Sequence, residues 1–141
     1  MLSRRDGLKS LLALSTAAGS SLSAVPSMAQ PRPSNGGTLV AFFSRTGNTR
    51  VIAGQIRRAR GADLFEIEPA DPYPEDYEAT VRQATRERDT GYELPLKATV
   101  PNLPSYELVF LGFPIWGMTA PPVIRSFLSR HDLSGKTLVP F

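Results

Sequence analysis

Hydrophobic and polar residues follow two kinds of pattern along this chain. Residues 38–43 and 107–112 are apolar at nearly every position, which is typical of parallel strands that helices cover on both faces. Residues 63–68 alternate between apolar and acidic side chains, which predicts a half-exposed strand at a sheet edge. Residues 137–141 form a fourth apolar run, where the chain ends.

Residues 48–60, which lie between the runs at 38–43 and 63–68, have the periodicity of a helix. Asn48 or Thr49 is expected to cap its beginning, and Gly61 is expected to end it. The residues predicted to form its buried stripe are Ile52, Ile56 and Ala59.

Two more helices are predicted, at residues 75–89 and 122–130. The residues predicted to be buried are Tyr77, Val81 and Ala84 in the first and Val123, Ile124, Phe127 and Leu128 in the second. Strands and helices therefore alternate along the whole segment. This order predicts an α/β fold of three layers, with a doubly wound parallel sheet between helices.

The first 29 residues are predicted to be an export signal. Arg4 and Arg5 lie near the start, an interrupted apolar run follows at residues 11–25, and residues 27–29 form a small-residue cleavage pattern. The paired arginines resemble a twin-arginine signal, with which bacteria export folded proteins. The alternatives are a general secretory signal, an amphipathic helix or a disordered tail.

Residues 30–37 are rich in Pro, Ser, Asn and Gly and are expected to form a linker to a single folded domain at residues 38–141. Because the apolar run of the signal contains several serines, it is too polar to predict a stable membrane span. Because the predicted signal directs export, the expected location of the protein is the periplasm or the cell exterior.

Composition narrows the possible functions. The chain has a formal net charge of +3, but the first 29 residues hold three of the 16 basic and one of the 13 acidic residues, so the remainder has a charge of only +1. This balance gives no support to nucleic-acid binding. The absence of cysteine excludes disulfides and thiolate chemistry.

The loop after the first strand has the chemistry of a phosphate site. Hydroxyl and amide side chains occur there together with a glycine, directly before a helix whose first N–H groups attract anions. The residues of this loop are Ser44, Arg45, Thr46, Gly47, Asn48 and Thr49. The loop lacks both the lysine of a nucleoside-triphosphate loop and a dinucleotide fingerprint. An ordinary capped turn remains the alternative interpretation.

The loop after the second buried strand contains the sole tryptophan of the chain, Trp116, within the sequence Pro114-Ile115-Trp116-Gly117. A planar aromatic ligand would stack on such a residue, whereas the alternative is a tryptophan that covers the core. Both loops follow strands that are predicted to be buried. In an open α/β sheet they would share the edge where ligands bind.

These two segments resemble the flavodoxin family. Phe42-Phe43-Ser44-Arg45-Thr46-Gly47-Asn48-Thr49 is similar to the phosphate loop of that family, and Phe110-Leu111-Gly112-Phe113-Pro114-Ile115-Trp116-Gly117 is similar to its first flavin-ring loop. Residues 71–77 and 132–137 are also similar to a bacterial subgroup. The resemblance spans residues 38–141.

The resemblance implies an FMN-binding redox protein. Residues 44–49 would hold the FMN phosphate, and residues 114–117 would line the isoalloxazine ring, with Trp116 as the stacking partner. The implied strand order is 2-1-3-4. No side chain is implied as a catalytic acid or base, and no metal ligand is implied. His131, the only histidine, follows the third helix, where a protonated ring is favoured.

Two features depart from the family pattern. Gly117 stands where many relatives have a second aromatic residue, and the usual fifth strand is absent because the sequence stops at Phe141. The expected function is electron transfer with a redox partner protein or a small quinone-like acceptor. The alternatives are an FMN-dependent NAD(P)H or quinone oxidoreductase and a truncated module without redox function.

Overall fold

The computed structural model describes residues 37–141, and the predicted signal and nearly all of the predicted linker lie outside this range. The chain alternates between strands and helices, as its sequence pattern predicts. The elements are β1 Thr38–Phe42, α1 Asn48–Arg60, β2 Asp63–Glu66, α2 Tyr77–Thr90, a short 3₁₀ turn at Leu103–Ser105, β3 Leu108–Gly112, α3 Pro122–Arg130 and β4 Thr137–Pro140.

The four strands form one parallel sheet in the order β2-β1-β3-β4. This order and the predicted edge position of β2 are confirmed. Every residue of β1 is buried, because it lies between two neighbouring strands and has side chains packed on both faces. At the end of the β1–β3 pair, Phe42 lies beside Gly112. The loops that follow these two strands therefore begin side by side.

Side chains alternate between two cores, one on each face of the sheet. Val40 and Phe42 of β1 pack against Ala53 of α1 on one face. On the other face, Leu39 and Ala41 belong to a larger cluster that includes Phe127 of α3. Helix α2 lies beside α3. These contacts confirm the three-layer α/β architecture.

All three predicted helix faces are wrong in detail. Ala53 is the residue of α1 that is fully buried, because a small side chain lets the helix approach the sheet closely. Of the predicted stripe, Ile52 and Ala59 are exposed and Ile56 is half-buried. In α2, Thr80, Ala84 and Glu87 are buried, whereas Tyr77 and Val81 are exposed by 66% and 41%. Leu128 of α3 is also largely exposed. Within residues 37–141, no helix is both long and apolar enough to cross a membrane.

His131 has a structural role in its neutral form. Its Nε2 atom accepts a hydrogen bond from the backbone N–H of Val100 at 2.9 Å, and its Nδ1 atom lies 2.8 Å from the carbonyl oxygen of Phe127. A nitrogen that accepts an N–H cannot itself carry a proton, so Nδ1 is the donor to Phe127. The expectation of a protonated ring at this helix end is therefore wrong.

The side chain of Asp76 caps helix α2, since its Oδ1 atom accepts a hydrogen bond from the N–H of Ala79 at 2.7 Å. We expect Asp76→Ala to lower the free energy of unfolding by about 1 kcal/mol, the usual effect of losing such a cap. Urea denaturation followed by circular dichroism measures the difference. Asp71→Ala is the control, because Asp71 is an exposed acidic residue outside the helix, and an equal loss in both variants would contradict the prediction.

Candidate functional site

A cavity of about 350 Å³ opens at the carboxyl ends of β1 and β3. Its walls come from the loop after β1, the loop after β3 and one side of helix α2. The loop residues that line it are Ser44, Arg45, Thr46, Asn48, Thr49, Pro114, Ile115, Trp116 and Gly117. Nine of the ten residues predicted from the sequence are thus brought together here, and the tenth, Gly47, lies within the first loop.

Gly47 shapes the loop after β1. It precedes helix α1 with φ at +94°, a conformation that glycine adopts without strain, and its N–H donates to Oγ of Ser44 at 3.0 Å. No side chain caps α1, so the predicted capping role of Asn48 or Thr49 is wrong. The first N–H groups of the helix are left for another acceptor, and the helix dipole favours an anion at this position.

Arg45 connects this loop to the segment before α2. Its guanidinium group donates a hydrogen bond to the backbone carbonyl oxygen of Glu75 at 2.7 Å. The contact spans 30 residues of sequence. This hydrogen bond keeps the positive charge of Arg45 at the end of the cavity where helix α1 begins.

Trp116 is half-buried and meets two other aromatic rings. Its centroid lies 5.4 Å from that of Phe43 and 5.1 Å from that of Tyr73, and in both pairs the ring planes are close to perpendicular. Such edge-to-face contacts are favourable and fix the indole in place. Trp116 therefore packs on the core, as one of the two interpretations predicts, and it also lines the cavity. That a planar ligand stacks on it stays a prediction.

A tight turn keeps Trp116 at the cavity. The N–H and carbonyl groups of Trp116 and Thr119 are paired at 2.8 and 3.2 Å. Between them, Gly117 and Met118 have φ values of +56° and +68°, and the Met118 side chain is 97% exposed. The glycine allows this turn, which needs positive φ at both central positions.

Tyr73 is held by a buried carboxylate on α2. Its hydroxyl group donates to Glu87 at 2.8 Å, and Gln83 donates to the other oxygen of the same carboxylate at 2.8 Å. Burial raises the pKa of the Tyr73 phenol well above its ordinary value of 10.0, and the hydrogen bond and negative charge of Glu87 act in the same direction. The sequence analysis did not identify this network.

Helix α2 also supplies a wall of the cavity that was not predicted. The residues that it contributes are Tyr77, Thr80, Val81, Ala84, Thr85 and Arg88. Their spacing of three and four residues was visible in the sequence. We expected Tyr77, Val81 and Ala84 to face the core, because periodicity identifies a helix face but not its neighbour.

The charges around the cavity are unbalanced. Of the residues that the structure describes, Arg45 and Arg88 line it, whereas no aspartate or glutamate does. A cavity with two guanidinium groups, several hydroxyl groups and an indole suits an anion with an aromatic body. Within residues 37–141, no cluster of three or more acidic or histidine side chains is arranged to hold a metal ion.

The sheet order and the position of the cavity define a flavodoxin-type α/β domain. A family model described as flavodoxin matches residues 37–141, and the chain belongs to this family. No curated protein matches the sequence.

Three solved structures are similar. A presumptive flavoprotein from Bacteroides eggerthii has 38% sequence identity and a TM-score of 0.70 over 76% of this chain and 70% of its own. A second one, from Bacteroides uniformis, has 34% identity and a TM-score of 0.69, and the match covers 75% of this chain and 70% of the other. A flavoprotein from Lactobacillus acidophilus in complex with FMN has 16% identity and a TM-score of 0.64, and the match covers 74% of this chain and 90% of the other. At this identity the likeness is one of fold alone.

The Tyr73–Glu87 contact should make stability fall at alkaline pH. The raised pKa of Tyr73 means that the folded state keeps its proton where the unfolded state loses it, so the stabilisation is complete below about pH 10 and declines as the pH rises above that value. We expect Tyr73→Phe to flatten this decline, as measured by urea denaturation between about pH 8 and pH 11.

Tyr92→Phe is the control for this measurement, because Tyr92 is 53% exposed. Burial and a hydrogen bond to Asp63 raise the pKa of Tyr106 to about 12. Tyr106 therefore also lowers the stability at alkaline pH, and it does so in every variant. The difference between variants is therefore the quantity of interest. Equal slopes in the wild-type protein and in Tyr73→Phe would contradict the prediction.

Proposed function

We propose that this protein binds FMN in the cavity between its two loops and transfers electrons through it. The observation that carries the proposal is that one cavity joins an uncapped helix start to a fixed indole. A phosphate monoester on a flat ring system has the matching chemistry. Membership of the flavodoxin family and the FMN complex of a structure with the same fold support this ligand.

The residues that are present fit FMN. The volume of about 350 Å³ lies in the usual range for small-molecule sites, which begins at about 300 Å³. Residues 44–49 would hold the phosphate through backbone N–H groups, hydroxyl groups and Arg45. No carboxylate from residues 37–141 lines the cavity, so these residues do not repel a dianion.

The loop at residues 114–117 would hold the ring. Trp116 offers an aromatic surface that Phe43 and Tyr73 keep in one orientation. Tyr77 and Val81 of α2 also line the cavity and add apolar surface to it. When bound, the flavin supplies the electron chemistry, and the protein supplies binding and orientation.

We propose that the electrons pass to a redox partner protein or to a small quinone-like acceptor. The exposed side chains of Ile115 and Met118, 67% and 97% accessible, lie beside the cavity at the ring loop and provide an apolar contact for such a partner. We also propose export through a twin-arginine signal at residues 1–29, which would carry the folded protein to the periplasm.

Comparison of FMN with riboflavin tests the two halves of the site separately. We expect Trp116→Ala to weaken the binding of both ligands about tenfold, since stacking on an aromatic side chain contributes about 1–3 kcal/mol. Thr49→Val should weaken FMN about tenfold and leave riboflavin unchanged, because a hydrogen bond to a charged group is lost. Isothermal titration calorimetry of the reconstituted full chain gives both dissociation constants.

Thr137→Val is the matched control for this experiment, because Thr137 is exposed on β4 and away from the cavity. A wild-type protein that stays colourless after incubation with FMN would overturn the proposal. An equal loss for both ligands in Thr49→Val would show that residues 44–49 do not hold the phosphate.

A further inference from the structure

The guanidinium group of Arg88 occupies the space beside Gly117. A Cβ atom placed on Gly117 would lie only 3.0 Å from Nη1 of Arg88. The φ of +56° at this position also disfavours any side chain. In the loop after β3, this chain therefore has a glycine with a cation next to it.

Arg88 belongs to the cavity. It lies in the last turn of α2 and lines the cavity one helical turn after Ala84, next to the Trp116–Gly117 segment. The other cation, Arg45, is held at the phosphate-loop end by the carbonyl oxygen of Glu75. Of the two arginines, Arg45 therefore lies at the loop of residues 44–49, and only Arg88 lies at the loop of residues 114–117.

No strong counter-charge from the described residues neutralises Arg88. Its ion-pair partner among residues 37–141 is Asp89, with 3.4 Å between Nε and Oδ1. The Asp89 side chain is 64% exposed and does not line the cavity, so water screens this pair. Among the lining residues in the described part of the chain, Tyr77 is the only other one with a titratable side chain besides the two arginines.

We infer that Arg88 stabilises the negative charge of the reduced flavin ring and thereby raises the reduction potential of the site. This inference rests on the proposed FMN binding. The oxidised ring takes up two electrons and one proton to become an anion, and a second proton would neutralise that anion. A cation beside the ring favours the anionic form and opposes the second proton.

Titration of the reduced protein tests this inference. The FMN-loaded full chain is reduced with dithionite without oxygen, and its visible absorbance is followed as the pH is lowered. In R88Q we expect the pKa of the reduced ring to rise by about one unit, which means that the second proton binds about tenfold more tightly. The midpoint potential should fall in the same variant.

Three further variants separate charge from structure. R88M removes the charge with a different side chain and should reproduce the shift if R88Q folds poorly. R88K retains the charge and should retain most of the wild-type pKa. R125Q is the matched control, because Arg125 lines a neighbouring surface groove together with Arg88 but not the cavity itself.

The outcomes distinguish this inference from the function on which it rests. A wild-type chain that does not bind FMN would overturn both. An unchanged pKa of the reduced ring in R88Q and R88M, with FMN bound in both variants, would overturn the role of Arg88 alone. An equal shift in R125Q would also overturn it, because the effect would then arise from overall charge and not from the position beside Gly117.

Discussion

The parallel pairing of β1 with β3 is the interaction on which the site depends. Phe42 lies opposite Gly112, and the N–H of Phe43 donates to the carbonyl oxygen of Gly112 at 2.9 Å. This register places the beginnings of two loops that are about 70 residues apart in sequence at adjacent points of one edge. A shift by one residue would exchange the two faces of β1 and separate Phe43 from Trp116.

The remaining wall of the cavity depends on polar contacts over long sequence distances. Arg45 reaches the backbone of Glu75, and Tyr73 reaches the carboxylate of Glu87. Because Tyr73 also packs against Trp116, the buried carboxylate on α2 helps to determine where the indole stands. The aromatic part of the site is therefore organised by a side chain that does not line the cavity.

The sequence predicts the fold and both loops well, because these follow from local patterns. The apolar runs identify the strands, and the residues at 44–49 and 114–117 follow two of them directly. The wall formed by α2 could not be predicted in this way, since periodicity gives no partner for Tyr77 and Val81. The same holds for His131, whose neutral state depends on the N–H of Val100, 31 residues away.

The polar character of the buried face of α2 has a consequence for the dynamics of the protein. Thr80, Ala84 and Glu87 are its buried residues, so the docking of this helix depends more on polar contacts such as Tyr73–Glu87 than the packing of the sheet does. A molecule that touches both α2 and the loops binds only while the helix is docked. Its apparent affinity is then reduced by the fraction of chains in which α2 is detached, and its binding in turn suppresses local unfolding.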